Sequence, residues 1–340
     1  PSGYLALCSA NLPTPPILLP EKYFETLLYT GNGTTNAITG LEFSPDLVWL
    51  KRRSGGNNGH RWFDVLRGPL IDIRSDSTAV NSAAASALSS FDSNGFTVIN
   101  DDGNGNLNNT PFVAWNWDAG ATDGKTYTVT VVASGGGNKF RFDGFAQDAV
   151  TLDLAEGGTY IFNYPSGHPF RFSTVADGTH GGGSEYTTGV TEVSTTQIKI
   201  TVAASAPQLY YYCSIHSGMG GAINTNSTQG SSNFDGALQS IVKVNQTAGF
   251  SIVKWTSGGS DASVGHGLGV KPAITIQKRI VGAVSNWSVY YDFRDGSYDY
   301  IRLNLDSAHL SSSASVPTSS VFYQTYGSGT MIAYCFSEVA

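Results

Sequence analysis

The sequence predicts an all-β chain made of several β-sandwiches, and three observations carry that expectation. Glycine fills 40 of 340 positions, aromatic residues make up 12% and charged residues only 13%, a balance rich in turn formers and poor in helix-spaced Glu, Lys and Leu. Runs such as Gln197-Ile-Lys-Ile-Thr-Val202 alternate apolar with polar side chains at period two, as a half-buried strand does. Two long segments also repeat one another, so part of the fold is built twice. A chain of this length holds two or three domains, each with its own core.

Residues 1–20, with Pro13, Pro15, Pro16 and Pro20, read as an extended linker leaving an earlier domain. Pro1 is not an initiator methionine and no signal-peptide pattern follows it, so a piece of a longer chain is expected.

Residues 21–120 form the first β-sandwich repeat and residues 229–340 the second. In the first, Tyr29-Thr30-Gly31 precedes Gly40-Leu41-Glu42-Phe43-Ser44-Pro45-Asp46-Leu47-Val48-Trp49-Leu50-Lys51-Arg52; in the second, Trp255-Thr256-Ser257 precedes Gly267-Leu268-Gly269-Val270-Lys271-Pro272-Ala273-Ile274-Thr275-Ile276-Gln277-Lys278-Arg279. The proline-to-lysine distance is six in both, 51 − 45 and 278 − 272. Trp62 and Trp287 follow, then Ile71–Arg74 against Tyr300–Leu303, and finally Val113-Ala-Trp-Asn-Trp117 against Ile332-Ala-Tyr-Cys-Phe336. A proline can open a strand without forfeiting a ladder bond. The apolar run behind it then enters a core and ends on a Lys-Arg pair that returns to solvent. Each unit is short and Gly-rich, so the two are expected to pack together, as two similar sandwiches or as halves of one. Only Ser75–Ser90, with Ala79, Ala83, Ala84, Ala85 and Ala87, offers a short helix, and a loop fits it equally.

Residues 121–228 are then an insertion between the repeats, entered and left through Asp118–Gly124 and Thr225–Ser232, which have linker composition. Strands are expected over Tyr127–Val132, Ala149–Leu154, Gly157–Asn163, Gln197–Val202 and Leu209–Cys213. The last of these delivers Cys213, His216 and Met219 within seven residues, and His168 stands at the mouth of another β-patterned run, 213 − 168 = 45 residues earlier. Thiolate, two imidazoles and thioether are the ligand set of a blue-copper centre. The alternative is structural, with Cys213 a small buried hydrophobe, His216 a turn residue and Gly218-Met219-Gly220-Gly221 the turn into the last strand.

On these residues the inserted segment resembles a cupredoxin. The resemblance implies a Greek-key sandwich and a copper site on His168, Cys213, His216 and Met219, with the Cys-x-x-His-x-x-Met spacing of the shortest-loop, amicyanin-like members. Pro169 departs from the pattern. Relatives that bind copper usually carry Asn after the first histidine, and its N–H tunes the sulfur; proline has no N–H to give.

The start of the chain, Gly3-Tyr4-x-Ala6-Leu7 and Ala10-Asn11-Leu12-Pro13-x-Pro15, resembles the tail end of SPRY-like domains in large bacteriophage fibre proteins. The repeat, with its Gly-Leu-x-x-x-Pro, Lys-Arg and Val-Ala-Trp-Asn-Trp-x-Ala-Gly signatures, is similar to modules of tail-fibre and appendage proteins of marine tailed phages. These resemblances imply a structural virion protein, a tail-fibre or capsid-appendage segment for host attachment or particle assembly. Its partners would be other virion proteins, further copies of itself with a trimer as one option, and a host surface glycan or protein.

Chemistry elsewhere is sparse. No His-Glu-x-x-His, nucleophile elbow or phosphate loop occurs, so no enzyme is expected. Asp101–Asn108 is oxygen-rich but lacks the bidentate Glu of a calcium loop, and reads as a hairpin turn. His180 and His266 sit in glycine loops and are expected to be exposed. Asp72, Asp292 and Asp295 could pair as an acid and base, though nothing in their spacing demands it. Of Trp287, Tyr290, Tyr291, Tyr298, Tyr300 and Tyr186, some should reach the surface and most the core. The net charge of −7 without a basic cluster argues against nucleic acid, and no apolar run reaches the length of a membrane span. Cys8, Cys213 and Cys335 are an odd set far apart, which implies no disulfide framework and assembly in a reducing compartment before incorporation in a virion. No cofactor is required, copper being the one metal the ligand set points to.

Overall fold

The computed structural model describes residues 19–338 apart from 57–58, 84–87, 101–102, 122–123, 226–228, 292–297 and 325–326. Among them the chain is all β, with 27 strands, two short 3-10 turns and no α-helix, and it is built as several sandwiches. The first unit holds β1 (Phe24–Thr30), β2 (Asn36–Thr39), β3 (Leu47–Arg52), β4 (Arg61–Asp64), β5 (Ile71–Arg74), β6 (Ser82–Ala83), β7 (Leu88–Asp92), β8 (Gly95–Val98) and β9 (Pro111–Trp117). The second holds β10 (Thr126–Ser134), β11 (Gly137–Phe142), β12 (Leu152–Asp153), β13 (Thr159–Asn163), β14 (Phe170–Ser173), β15 (Val190–Ser194), β16 (Gln197–Thr201), β17 (Leu209–Cys213) and β18 (Gly221–Asn224). The third holds β19 (Ser231–Asn233), β20 (Ser240–Asn245), β21 (Phe250–Ser257), β22 (Ala262–Gly265), β23 (Pro272–Val281), β24 (Ser288–Tyr291), β25 (Tyr300–Arg302), β26 (Val321–Gln324) and β27 (Gly329–Ser337).

The first and third units share a common set of strands, β1, β2, β3, β4, β5, β8 and β9 of the first matching β21, β22, β23, β24, β25, β26 and β27 of the third. The large sheets run β1-β9-β3-β4-β5-β6 and β19-β20-β21-β27-β23-β24-β25, and each is covered on one face by a small sheet, β2-β8-β7 or β22-β26. The registers coincide: Leu28 faces Val113 as Lys254 faces Ile332, and Trp49 faces Trp115 as Ile276 faces Tyr334. Ile38, Val48, Phe63 and Phe96 fill the space under the first small sheet; Val253, Trp255, Val264 and Phe322 fill the space under the second.

The opposite faces of the two large sheets meet each other. Leu47, Trp62, Ile73, Phe250, Ile252, Trp287, Ile332 and Tyr334 form one buried cluster drawn from both repeats. β3 is therefore buried on both sides, which is why Leu47-Val-Trp-Leu50 reads as an unbroken apolar run rather than an alternation. Polar ties cross the same boundary. The Tyr334 hydroxyl donates to Asp64 Oδ2 at 2.7 Å, and Arg67 holds the same oxygen at 2.5 Å, all three side chains buried. Trp287 Nε1 donates to the Arg74 carbonyl at 2.8 Å, and Lys278 Nζ to the Thr78 carbonyl at 2.9 Å. Lys243 lies 3.3 Å from Asp46, whose carboxyl is pushed up to about 7 by burial, against the opposing pull of Lys243 and the Ala119 N–H.

The middle unit is a two-sheet sandwich, β11-β10-β13-β16-β15 over β12-β18-β17-β14, with parallel pairs β10–β13 and β12–β18 where the chain crosses between sheets. Its interior is aromatic: Phe162 stacks on Phe170 at 4.7 Å between ring centres, and Phe170 on Tyr211 at 5.3 Å. The third unit plugs into it. Phe234 joins its core, Tyr127 donates its hydroxyl to the Ser232 carbonyl at 2.8 Å, and Ser232 Oγ accepts the Asp153 N–H.

Several local expectations change. Within Ser75–Ser90 no described residue is helical; Ser82–Ala83 and the start of β7 are strand, because the alanines lack an apolar stripe to bury. Of Ala149–Leu154 only Leu152–Asp153 pairs as a strand, Ala149 having a left-handed φ of 48°. The described part of Asp101–Asn108 is a turn between strands of different sheets, not a hairpin. Asn106, fully buried, holds that turn by accepting the Asn32 N–H at 3.1 Å and donating to the Thr34 and Asn100 carbonyls. Ser231 and Ser232 belong to β19 rather than to a linker. Residues 1–18, with the SPRY-like pattern and Cys8, lie outside the described residues. Cys213 and Cys335 are free, buried thiols, and burial pushes Cys335 up to about 12. No helix of the described residues is long and apolar enough to cross a membrane.

Candidate metal centre

Strands β14 and β17 lie side by side in antiparallel register, with Phe170 opposite Cys213 and Ser173 opposite Tyr210. That pairing sets the end of one strand beside the beginning of the other. His168 stands two residues before Phe170 in a turn closed by its own N–H on the Pro165 carbonyl, 3.3 Å away, and Gly167 supplies the left-handed φ of 83° the turn needs. Cys213 is the last residue of β17, and His216 follows in the loop toward β18.

The three expected ligands from His168, Cys213 and His216 converge, with one donor atom of each within 4.8 Å of the others. Cys213 Sγ and His216 Nδ1 are 3.6 Å apart, and the two imidazole rings are 4.7 Å apart between centres. Cys213 is buried, His168 half-buried and His216 exposed, so the cluster opens to solvent on the His216 side. His168 Nδ1 is a buried nitrogen without a hydrogen-bond partner. Burial, and the nearby His216 ring, hold the His168 imidazole below its ordinary value, which favours the neutral form a metal requires. Met219, the fourth expected ligand, is 1% exposed and packs in the same apolar core as Cys213.

The loop that carries these residues is held from outside by two neighbours. Asp177 Oδ1 accepts the Gly218 N–H at 2.8 Å, and His180 Nε2 lies 3.0 Å from the Cys213 carbonyl. Both come from the 3-10 turn Gly178–Gly181 and its left-handed cap at Asp177. β11 grips the other side, where Lys139 Nζ donates to the Gly218 carbonyl and the Phe140 N–H to that of Met219 at 3.0 Å. Gly220 admits no side chain, since a Cβ there would lie 1.7 Å from the Tyr211 carbonyl oxygen. His180 is exposed, as its glycine context implied. Its hold on Cys213 had no signal in the sequence, because it joins loops 33 residues apart.

These residues fit a soft or borderline metal ion: one thiol and two imidazoles with converging donors, an orphaned ring nitrogen, and a thioether in the same apolar core as the thiol. Pro169 withholds one N–H from the neighbourhood, and its carbonyl instead accepts the Ser214 N–H at 3.1 Å.

The remaining candidates do not assemble. Asp72 is buried against Arg61 at 3.1 Å and Arg74 at 3.8 Å, an ion pair rather than an acid–base pair; Asp292 and Asp295 lie outside the described residues. His266, expected at the surface, is fully buried, with Nε2 3.2 Å from the Thr318 carbonyl and Nδ1 accepting the Leu268 N–H. Trp287, Tyr290 and Tyr298 are core residues, whereas Tyr291 is 42% exposed.

A family model described as a domain of unknown function (DUF7483) matches residues 19–151 and 224–340. The four residues of the candidate centre all fall in the unmatched stretch between those segments. No curated protein and no solved structure matches the chain.

Proposed function

For a chain that belongs to the DUF7483 family, as the match over most of its length establishes, we propose a structural role in a bacteriophage virion, as a tail-fibre or capsid-appendage segment for host attachment or particle assembly. The observation that supports it is the fusion of the two repeats through one buried aromatic core tied by Tyr334, Asp64 and Arg67. Bending one repeat against the other would open that core and strand a buried carboxylate, so the pair behaves as a stiff spacer. The inserted sandwich is fixed to it by Phe234 and Ser232, which suits a module displayed from a rod. In this reading the protein is not an enzyme and works with other virion proteins and further copies of itself. The test is adsorption: an excess of the purified protein should slow attachment of the parent phage to its host, and antibody against it should decorate the particle. Undecorated virions and unaltered adsorption would reject the reading.

A second reading, compatible with the first, is that the inserted sandwich is a copper-binding, cupredoxin-type module. The convergence of one donor atom each from His168, Cys213 and His216, together with the unpartnered His168 Nδ1, favours it. His168, Cys213 and His216 would hold the ion, with Met219 as the thioether beside them. Copper bound there would supply one-electron exchange. The protein's own part is to keep the donors gathered through the contacts of Asp177, His180 and β11. Addition of Cu(II) should give an intense thiolate-to-copper absorption band with one copper per chain, lost in Cys213→Ser. A colourless protein that takes up no copper, or that takes up only zinc, would reject it.

A further inference from the structure

The two repeats differ at one edge. In the second, the outer edge of β21 is covered by β20 in a regular antiparallel ladder from Ser240–Trp255 to Asn245–Phe250. In the first, the equivalent strand β1 ends its sheet, and among the described residues no strand pairs with its outer edge. Phe24 is 41% exposed where its counterpart Phe250 is 2% exposed, and Leu28 is 63% exposed.

The alternation of ladder bonds shows which groups face the open side. Gly31 donates its N–H to Thr110, and Asp118 donates to Tyr23, so odd-numbered residues of β1 bond to β9. The main-chain groups of Phe24, Thr26, Leu28 and Thr30 therefore point outward. The Thr30 carbonyl takes the Asn36 side chain at 3.2 Å, as an outward group can. Several of the usual protections of an edge are missing: β1 is seven residues long, its register is unbroken, and it carries neither Pro nor Lys, Glu25 being its one charge. The second repeat has Lys254 where β1 has Leu28.

The described residues just upstream of β1 run differently from those upstream of β21. There, β20 returns to β21 through a short turn; here Leu19 leads into a 3-10 turn, Pro20–Lys22. Counting back by the same spacing reaches Thr14–Leu19, where Pro15 and Pro16 have no N–H for a ladder.

We propose that β1 is a docking strand for a second copy of this chain, the two β1 strands pairing antiparallel across a two-fold axis at Leu27. In that register Phe24 faces Thr30, Glu25 faces Tyr29 and Thr26 faces Leu28 of the other copy, so the acidic residue opposes no like charge. The two six-stranded sheets become one continuous sheet, and each exposed Leu28 lies over the other copy's Thr26. The interface is isologous and closes at two copies. It stands independently of whether the inserted sandwich binds a metal.

Light scattering and sedimentation of the whole chain across the micromolar range test it. The expected result is a monomer–dimer equilibrium with micromolar dissociation. Leu28→Lys, which installs the residue the second repeat already tolerates at this position, should weaken it about a hundredfold because two leucines leave the interface. Thr26→Pro, which removes an outward N–H without touching the β9 ladder, should do the same. Thermal melting of each monomer verifies that the fold persists. A chain monomeric throughout the range, an assembly of another order, or a dimer indifferent to both substitutions would overturn the proposal.

Discussion

If the repeats share one core, a single truncation on one side of the boundary must weaken both. Trp62 is the test residue: it is 1% exposed, and its ring lies 4.8 Å from Trp49, 4.9 Å from Tyr334 and 5.3 Å from Trp287, the last two belonging to the other repeat. Trp62→Ala removes a large buried side chain from a site walled by rigid rings that cannot collapse into the space, which places the loss near the upper end of the usual range, about 5 kcal/mol. For a cooperative unit of this size that is a fall of roughly 10–20 °C in Tm. The assay is built into the chain, since all six tryptophans, Trp49, Trp62, Trp115, Trp117, Trp255 and Trp287, lie in the repeats and none in the inserted sandwich. Tryptophan fluorescence during heating should show one transition, displaced as a whole, while tyrosine signals of the inserted sandwich follow their own course. Trp255 sits under the small sheet of the second repeat, in a different cluster from Trp62. If its environment melts at the wild-type temperature while the first repeat melts early, the repeats are separate units and the stiff-spacer argument fails.

Other predictions follow from single contacts. Tyr334→Phe removes the hydroxyl that Asp64 accepts inside the boundary and should cost about 1.5–3 kcal/mol in urea unfolding; a loss within error would mean water replaces it. Asp177→Ala releases the Gly218 N–H and should weaken copper uptake about tenfold in a chelator competition, with Asp177→Asn, which keeps both the acceptor and the left-handed backbone, restoring most of it. Equal affinities in all three would show that the loop needs no clamp. Two buried groups give pH slopes of opposite sign. His266 titrates below its ordinary value because it is buried, so its stabilisation is complete above about pH 6.5 and is lost as pH falls through the lowered folded value. Asp46, pushed up to about 7 from 3.8, favours the fold most below pH 3.8, and that contribution is lost as pH rises through 7. His266→Gln should therefore flatten the acid side of the stability profile and Asp46→Asn the slope between those two values; unchanged profiles would place both groups in water.

What the sequence determined by itself was whatever depends on neighbours along the chain. A period-two run gave β16 and an apolar run gave β17, and the matched Pro-to-Lys spacing gave a duplication whose strand registers coincide. The Cys-x-x-His-x-x-Met loop carried its own chemistry, and His168 was legible because it opened a second apolar run. Tertiary structure decided the rest, because it depends on which faces meet. His266 looked like a surface residue in a glycine loop, yet the second repeat folds over it. Nothing local marks Asp177 and His180 as holding the ligand loop, since the contacts join residues 41 and 33 positions apart. Leu47-Val-Trp-Leu50 announced burial but not by what; only the stacking of two sheets shows that one face meets the small sheet and the other the second repeat. An edge, too, is invisible in a strand's own residues: Phe24 and Phe250 hold the same place in the repeat, yet Phe24 is 41% exposed and Phe250 is a core residue.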